Sequence, residues 1–207
     1  IYKNKILHYE MTSEHQIFFS SLSLSKEFNV TNILEIGTWD AKNACLLSIL
    51  FENASIDTID LSREHEIFKN SYNRTNKVDE FVNRRDILLE KYKKINFKEL
   101  NSLNLYNYTK KYDLIWIDGA HGYPFVCMDI INCLKLLNTN GLIMCDDVFI
   151  NKINSDKLYQ SNASYETLSE LKKEKIIEFN LIYKRLDTEN NFNSGNRKFV
   201  AIVKLNK

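Results

Sequence analysis

Residues 112–118 read YDLIWID and residues 141–147 read GLIMCDD, and both are short apolar runs that end on acidic residues. Apolar runs of this length are typical of strands that are buried on both faces of a parallel sheet. The carboxyl ends of parallel strands border the ligand crevice, so Asp118, Asp146 and Asp147 are expected to lie close together. Carboxylates are costly to desolvate unless they are paired or bind a cation. The two runs therefore predict both a fold class and a chemical site.

Strand-like and helical patterns alternate through most of the chain. Three further strands are predicted at residues 32–37, 55–60 and 95–100. Helices are predicted at residues 12–28, 41–51 and 124–137, with one or two more across the polar residues 62–95. Strands that alternate with helices indicate a parallel sheet with right-handed crossovers and helices on both faces.

The end of the chain departs from this alternation. Residues 165–175 look helical, but residues 176–185 and 198–204 are two strand-like runs joined by a polar turn that leaves no room for a helix. These two strands are expected to form an antiparallel hairpin. We therefore predict an α/β fold with a doubly wound, seven-stranded, mostly parallel sheet and an antiparallel C-terminal hairpin. Residues 1–207 are expected to form one domain, with residues 1–30 as an N-terminal helical extension.

Composition narrows the class of protein. The 207 residues are 44% hydrophobic, which is enough for a sizeable core, and the net charge of +1 gives no indication of a basic surface for nucleic acid. The apolar runs are shorter than the roughly 18 residues that a membrane-spanning helix needs, and no signal-peptide pattern opens the sequence. The cysteines lack C-x-x-C spacing and lie in apolar runs, which indicates buried, reduced thiols in a cytoplasmic protein. They are Cys45, Cys127, Cys133 and Cys145.

The first predicted strand leads into the segment LEIGTWDAKNA, residues 34–44. Gly37 allows the backbone to approach a ligand closely, and the N-terminus of the following helix offers N–H groups. Trp39 and Ala41 stand where a dinucleotide-binding fingerprint would need further glycines, so a pyrophosphate site is not expected. Asp60 ends the second strand, where an acid suits the hydroxyls of a ribose, or it is simply an acid at the start of the next helix.

Four segments together resemble class I S-adenosylmethionine (SAM)-dependent methyltransferases. They are LEIGTWDAKNA, TIDLS, YDLIWIDGAHGYPFVCMDI and LLNTNGLIMCDDV, and the resemblance covers about residues 11–148. It is specific to the subgroup with an I-D-G-x-H-x-Y signature, which is related to cation-dependent O-methyltransferases. The resemblance implies methyl transfer from SAM to a hydroxyl of a small molecule, such as a sugar or a phenolic metabolite. The predicted hairpin agrees with the antiparallel last strand of this family.

The resemblance also implies a role for individual residues in binding the cofactor. Glu35, Gly37 and Thr38 would border the amino-acid part of SAM, while Asp60 would bind the ribose hydroxyls. Asn101 and Ser102 fall where adenine contacts usually lie, although an acid is frequent in the family at the position of Asn101. The full set of implied cofactor-binding residues is Glu35, Gly37, Thr38, Asp60, Asn101, Ser102 and Asp118.

The same resemblance implies a Mg²⁺ ion on Asp118, Asp146 and Asp147. Mg²⁺ prefers oxygen ligands, and two vicinal substrate oxygens could complete its octahedron. A bound ion would polarise a coordinated hydroxyl, and His121 could take its proton as the general base. Alternatively, Asp118 only bonds its own loop, the other two acids cap the following segment, and His121 is a structural loop histidine. The remaining histidines, His8, His15 and His65, have no comparable setting.

Three other functions are open on the sequence. Metal-independent methylation of nitrogen or oxygen is the closest alternative. A SAM-binding partner domain without catalysis would have no need for charged groups crowded in a cleft. A nicotinamide-linked oxidoreductase is disfavoured by the missing glycines and by the hairpin. The expected partner is a small-molecule acceptor, with neither nucleic acid nor a membrane, and an exposed N-terminal helix could support a homo-oligomer.

Overall fold

The structure is a computed structural model that describes residues 14–71, 76–151, 160–184 and 197–206. Its strands are β1 (Asn32–Ile36), β2 (Ser55–Asp60), β3 (Ile95–Glu99), β4 (Tyr112–Ile117), β5 (Leu137–Phe149), β6 (Ile177–Tyr183) and β7 (Lys198–Leu205). Its helices are α1 (Glu14–Leu24), α2 (Lys42–Leu50), α3 (Glu66–Asn70), α4 (Val78–Leu89), α5 (Phe125–Leu136) and α6 (Ala163–Lys173). A 3-10 helix spans Ser102–Asn107.

The seven strands form one sheet with the order β3-β2-β1-β4-β5-β7-β6. Strands β1 to β5 pair in parallel, whereas β7 is antiparallel to both β5 and β6. The predicted doubly wound sheet with its C-terminal hairpin is therefore confirmed. The direction of winding reverses between β1 and β4, and ligands bind at the carboxyl ends of the strands at such a point.

Alternating side chains of β4 divide the core between the two faces of the sheet. Ile115 and Ile117 pack with residues of α5 and α6, while Leu114 and Trp116 pack with residues of α1 and α2. This alternation is what a strand covered by helices on both faces requires. Phe19 of α1 lies edge-on to Trp116, with ring centroids 5.3 Å apart. The N-terminal helix is thus part of the core beside the strand that ends on Asp118.

Strand β5 begins earlier than the sequence predicts. Leu137 is buried and pairs with Tyr112, and the register then shifts before Leu142 pairs with Leu114. The polar residues 138–140 hide this start, because they interrupt the apolar pattern of the strand. Gly141 follows them in a tight space, since a Cβ at this position would lie 2.7 Å from the side chain of Leu137.

Some sequence predictions concern parts of the chain outside the described residues. The first two residues of the predicted helix 12–28 and most of the turn between β6 and β7 fall there, and α1 ends at Leu24. Helix α1 exposes Ile17 and Leu24, and the homo-oligomer remains a prediction. In the described parts of the chain, no helix is long and apolar enough to cross a membrane.

Three of the four cysteines are buried, and Cys127 is half-buried; all four are free thiols.

Candidate active site

The loops after β1 and β4 cross closely at the carboxyl edge of the sheet. Gly37 follows β1 with φ of 96°, and a Cβ on this residue would overlap the carbonyl group of Asp118. The backbone N–H of Asp118 in turn donates a 2.9 Å hydrogen bond to the carbonyl oxygen of Ile36. Only glycine meets both conditions, a positive φ and no room for a side chain. The crossing places two predicted site residues side by side.

The loop after β1 retains left-handed backbone without further glycines. Trp39 and Ala41 have φ of 45° and 64°, a region that non-glycine residues rarely adopt. Two hydrogen bonds of 2.8 Å hold them there: Trp39 N–H donates to Asp60, and Ala41 N–H donates to the carbonyl oxygen of Thr38. The Thr38 hydroxyl also lies 2.6 Å from that of Thr58. The loop therefore reaches a conformation that glycine favours through contacts that the sequence pattern does not show.

Glu35 lies beneath this loop with its side chain completely buried. Its carboxylate accepts hydrogen bonds from the hydroxyl of Thr58 and from the side-chain amide of Asn43. Burial raises the pKa of Glu35 to about 7, although both hydrogen bonds act in the opposite direction. In this arrangement Glu35 supports the loop that follows β1. Its contact with the amino-acid part of SAM remains a prediction.

The other predicted cofactor residues lie at the ends of β2 and β3. Asp60 is partly exposed and accepts hydrogen bonds of 2.8 Å from the N–H groups of Trp39 and Leu61. Asn101 caps the 3-10 helix, because its side-chain oxygen accepts a 3.0 Å bond from the N–H of Leu103. A carboxylate at the end of β2 has the chemistry to bind ribose hydroxyls. The roles of these residues toward SAM stay predictions.

Asp129 is a buried acid that sequence reasoning missed. It lies on α5 and is 1% exposed, and a hydrogen bond joins it to Ser102. Burial raises the pKa of Asp129 to about 6, and the bond to Ser102 opposes this effect. An acid on the buried side of an apolar helix gives no periodic signal that separates it from a surface residue.

Asp118, Asp146 and Asp147 are brought together as the sequence predicts. Ile117 pairs with Cys145, so the residues that follow each of them lie on neighbouring strands at the same edge. Consecutive side chains of a regular strand point to opposite faces, which would separate Asp146 from Asp147. The pairing of β5 with β7 is irregular between Cys145 and Val148, and Asp147 has a left-handed φ of 47°. This irregularity allows both carboxylates to reach the same cation.

That cation is the ammonium group of Lys184, which sequence reasoning did not identify. The Nζ of Lys184 lies 2.6 and 2.7 Å from the two carboxylate oxygens of Asp146 and 2.7 Å from Oδ1 of Asp147. The Nζ of Lys198 lies 2.5 Å from Oδ2 of Asp147. The side chain of Lys184 is only 3% exposed. Three carboxylate oxygens thus enclose one buried ammonium group.

The C-terminal hairpin delivers both lysines. Lys184 directly follows β6 and Lys198 begins β7, and the N–H of Lys184 donates a 3.0 Å bond to the carbonyl oxygen of Lys198. In the sequence the only signal is a lysine at each end of the polar turn. The two lysines reach the acids of β5 only because β7 pairs with β5, and the sequence pattern does not predict this pairing.

The electrostatics of the cluster follow from burial and from these pairs. Burial raises the pKa of Asp118, and the neighbouring Asp146 raises it further. Burial acts the same way on Asp147, but Lys184, His121 and Lys198 together hold its pKa well below the usual range. Burial alone would lower the pKa of Lys184, yet the surrounding acids hold it above its usual value. Lys184 is therefore a charged group throughout the physiological pH range.

The residues present do not fit a resident Mg²⁺ ion. Within residues 14–71, 76–151, 160–184 and 197–206, no group of three or more His, Cys, Asp or Glu side chains is arranged to hold a metal. The acids predicted as ligands, Asp146 and Asp147, already enclose an ammonium group at hydrogen-bond distance. A Mg²⁺ ion about 2.0–2.1 Å from the same oxygens would lie against that positive charge. The predicted Mg²⁺ is not supported by this arrangement.

His121 lies in the loop after β4 and is 4% exposed. Its Nε2 is 3.7 Å from Oδ1 of Asp118, which is an electrostatic contact longer than a hydrogen bond. Burial lowers the pKa of His121, although Asp147 and Asp146 act in the opposite direction. The imidazole is therefore neutral near pH 7 and has a nitrogen able to accept a proton.

His15 has a setting comparable to that of His121, so the sequence interpretation was wrong for this residue. It lies on α1, is 1% exposed, and packs with its ring centroid 4.8 Å from Trp116 and 5.6 Å from Phe19. Burial lowers the pKa of His15 to about 4, and Asp146 opposes this effect through its negative charge. Helix α1 thus borders the acidic cluster.

Comparisons with known proteins agree with this architecture. Residues 34–148, more than half of the chain, match a family model described as a methyltransferase domain. No curated protein sequence gives a significant match. Among solved structures, the SAH-bound methyltransferase PaMTH1 from Podospora anserina has a TM-score of 0.63 and 17% identity. That alignment covers 93% of this chain and 78% of PaMTH1.

Two further solved structures share the fold. The N-methyltransferase NodS from Bradyrhizobium japonicum WM9 has a TM-score of 0.61 and 14% identity, with 94% of this chain and 96% of NodS covered. The O-methyltransferase TomG from Streptomyces achromogenes, in complex with SAM, has a TM-score of 0.55 and 12% identity, with 92% and 80% covered. The family match, the strand order and the loop crossing at Gly37 lead to one conclusion: the chain belongs to the methyltransferase-domain family and is a class I SAM-dependent methyltransferase.

Proposed function

We propose that this methyltransferase acts on a hydroxyl oxygen of a small molecule, such as a sugar or a phenolic metabolite, with His121 as the general base. The observation that carries the proposal is a buried, neutral imidazole beside Asp118 at the carboxyl end of β4. A hydroxyl must lose its proton to become a good nucleophile, and histidine is suited to accept it near neutral pH. NodS and TomG share the fold and methylate nitrogen and oxygen respectively, so the acceptor atom is decided by the site.

The residues at the crevice fit a bound SAM molecule. Gly37 allows close approach of the backbone, and Asp60 offers a partly exposed carboxylate at the end of β2. Bound SAM supplies a methyl group that is activated by a positively charged sulfur. The site then has to align the acceptor oxygen behind that methyl group, because alignment is a large part of the barrier.

His121 accepts the hydroxyl proton while the acceptor oxygen bonds to the methyl carbon and the bond between carbon and sulfur breaks. The electron pair of that bond remains on sulfur, so the products are a methyl ether, S-adenosylhomocysteine and a protonated His121. Asp147 and Asp146 stabilise the imidazolium, since their charges favour the protonated form. This chemistry requires only one proton transfer and no redox step.

A radiolabelled methyl transfer assay tests the proposal. Purified protein is given SAM, excess EDTA and a panel of small hydroxyl compounds, each matched with the corresponding amine. Methylation of hydroxyl compounds is expected. His121→Ala should lower kcat by about 10²–10⁴-fold, the usual contribution of a general base, while SAM affinity is retained.

His65→Ala is the matched control variant, because His65 caps α3 at the Ile67 N–H and lies outside the proposed site. It should change neither kcat nor SAM affinity. Methylation of amines alone, or an unchanged kcat in His121→Ala, would overturn the proposal.

The same assay separates the competing hypotheses. In the metal-assisted form predicted from the sequence, Mg²⁺ on the three acids is required and EDTA stops the reaction. A domain without catalysis would bind SAM and transfer its methyl group to no compound in the panel.

A further inference from the structure

We propose that Lys184 is a positioning residue that acts as the built-in cation of the acidic cluster, in the place that a divalent ion would take between Asp146 and Asp147. The inference rests on the proposed function, because it concerns the same site, and it implies methyl transfer without a divalent metal. Its basis is the geometry of the two strands of the hairpin.

The first observation is the number of oxygens around the ammonium group. Both oxygens of Asp146 and one oxygen of Asp147 lie 2.6–2.7 Å from the Nζ of Lys184. Two of these contacts are hydrogen bonds, to Oδ2 of Asp146 and to Oδ1 of Asp147, and the contact with Oδ1 of Asp146 is an ion pair only. The side chain of Lys184 is buried among these oxygens, so it acts on the reaction through the acids it holds.

The second observation is that Lys184 is fixed in place. The residue is 5% exposed, and its backbone N–H bonds to the carbonyl oxygen of Lys198. Lys198 is fixed on the opposite side of Asp147, with its ammonium group on the other carboxylate oxygen. A metal ion could enter only if Lys184 left both acids, which would leave its buried ammonium group without its partners.

The third observation is the balance of charge. Three carboxylates face two ammonium groups, and both ammonium groups contact Asp146 or Asp147. Asp118 is the more exposed acid, with 24% of its side chain accessible, and its ion-pair contact within the described chain is with His121. The two ammonium groups thus balance the charges of Asp146 and Asp147, and Asp118 contacts the proposed base instead.

The inference is tested by measuring Mn²⁺ binding with electron paramagnetic resonance, in the absence of SAM and acceptor. The wild-type protein is expected to bind no Mn²⁺ at millimolar concentration. Lys184→Met should gain at least about a hundredfold in Mn²⁺ affinity. A unit charge about 4 Å from a singly charged ion already changes its affinity by nearly a thousandfold at an effective dielectric constant of about 20, and the effect on a divalent ion is larger. Lys184→Arg keeps the charge and should gain none.

Two further variants keep the test decisive. Lys184→Gln removes the charge but still donates hydrogen bonds to the acids, so it replaces Lys184→Met in the test if that variant does not fold. Its Mn²⁺ affinity should increase to a similar extent. Lys110→Met is the matched control: it also takes a lysine from a buried acid, but Asp57 is then a single carboxylate bonded to Tyr112 and Asn96. This control should bind no Mn²⁺.

Activity gives an independent readout once an acceptor is found. The wild type should be fully active in EDTA, whereas Lys184→Gln should lose activity in EDTA and recover part of it with Mg²⁺. Stoichiometric Mn²⁺ binding by the wild type, or folded charge-removing variants without Mn²⁺ affinity, would overturn the inference. Because Mn²⁺ binding is measured without methyl transfer, failure of the proposed function would appear separately as an absence of methylated product.

Discussion

Replacing Glu35 by Gln should make the stability of the protein less dependent on pH. Glu35 is fully buried beneath the loop that follows β1, and burial raises its pKa from 4.5 to about 7. Between these two values the folded protein holds a proton that the unfolded chain has lost. The contribution of Glu35 to stability is therefore greatest below its pKa in the unfolded chain. It is lost as the pH rises through its pKa in the folded protein.

The magnitude follows from the same two values. The rise in the pKa of Glu35 from 4.5 to about 7 lowers the free energy of unfolding by roughly 3 kcal/mol between low and high pH. Each pKa unit corresponds to about 1.4 kcal/mol. Between pH 5.5 and pH 8 the expected loss from Glu35 is about 2 kcal/mol, because part of the change already lies below pH 5.5. Gln carries no charge and has no such dependence.

The substitution can keep the local contacts. The oxygen of Gln can accept the hydrogen bond from Asn43, and its amide nitrogen can donate to the hydroxyl oxygen of Thr58, which lies 2.6 Å from the Thr38 hydroxyl. The expected difference between the proteins therefore arises from the charge. It should appear as a free energy of unfolding that diverges with pH.

Urea denaturation followed by circular dichroism measures this free energy from pH 5.5 to pH 8. The stability of Glu35→Gln relative to the wild type should increase by about 2 kcal/mol over this range. Equal pH dependence in the two proteins would refute the reasoning, because it would show that Glu35 is charged in the folded state at the lower pH. Burial raises the pKa of Tyr92, Cys45, Cys133 and Cys145, so these groups titrate above this range, and they are common to both proteins.

Two other predictions concern the backbone crossing and the lysine pair. Gly37→Ala should lower the free energy of unfolding by roughly 2–4 kcal/mol and abolish SAM binding, because the new Cβ would overlap the carbonyl group of Asp118 and residue 37 has a left-handed φ. A stable Gly37→Ala protein that binds SAM in calorimetry would contradict this. Asp146→Ala should cost about 3–5 kcal/mol by leaving the buried ammonium of Lys184 without its main partner. The double variant Asp146→Ala/Lys184→Met should recover most of that loss, and additive losses in a double-mutant cycle would argue against the pair.

Much of the fold could be predicted from the sequence, because its strands are short apolar runs that end abruptly. The run 112–118 has no polar residue before its final acid except Asp113, and this short apolar run identifies β4 without knowledge of its partners. The hairpin followed from two strand-like runs with no room for a helix between them. The start of β5 was harder, since Leu137 is separated from the rest of the strand by polar residues.

The acids of the site could be located from the sequence, whereas the groups that compensate them could not. Asp118 directly follows β4, and Asp146 follows Cys145, the last residue of β5 that pairs with β4. Lys184 and Lys198 reach these acids through the antiparallel register of β7, and the shared cation requires the irregular backbone at Asp147. Register and local irregularity are set by pairing across the sheet, so a pattern along the chain does not contain them.

The loop after β1 shows a similar limit. Trp39 and Ala41 adopt left-handed conformations in spite of their side chains, because the N–H of Trp39 bonds to Asp60 on the neighbouring strand. The setting of His15 is also hidden from the sequence, because its position against Trp116 depends on how α1 packs on the sheet.

The most direct test of the central claim is a calorimetric titration of the protein with SAM in excess EDTA. The wild type is expected to have one binding site with a micromolar dissociation constant, in the range typical of enzyme substrates, and Asp60→Ala to bind SAM much more weakly. Absence of SAM binding by the folded wild type, with or without Mg²⁺, would contradict the account.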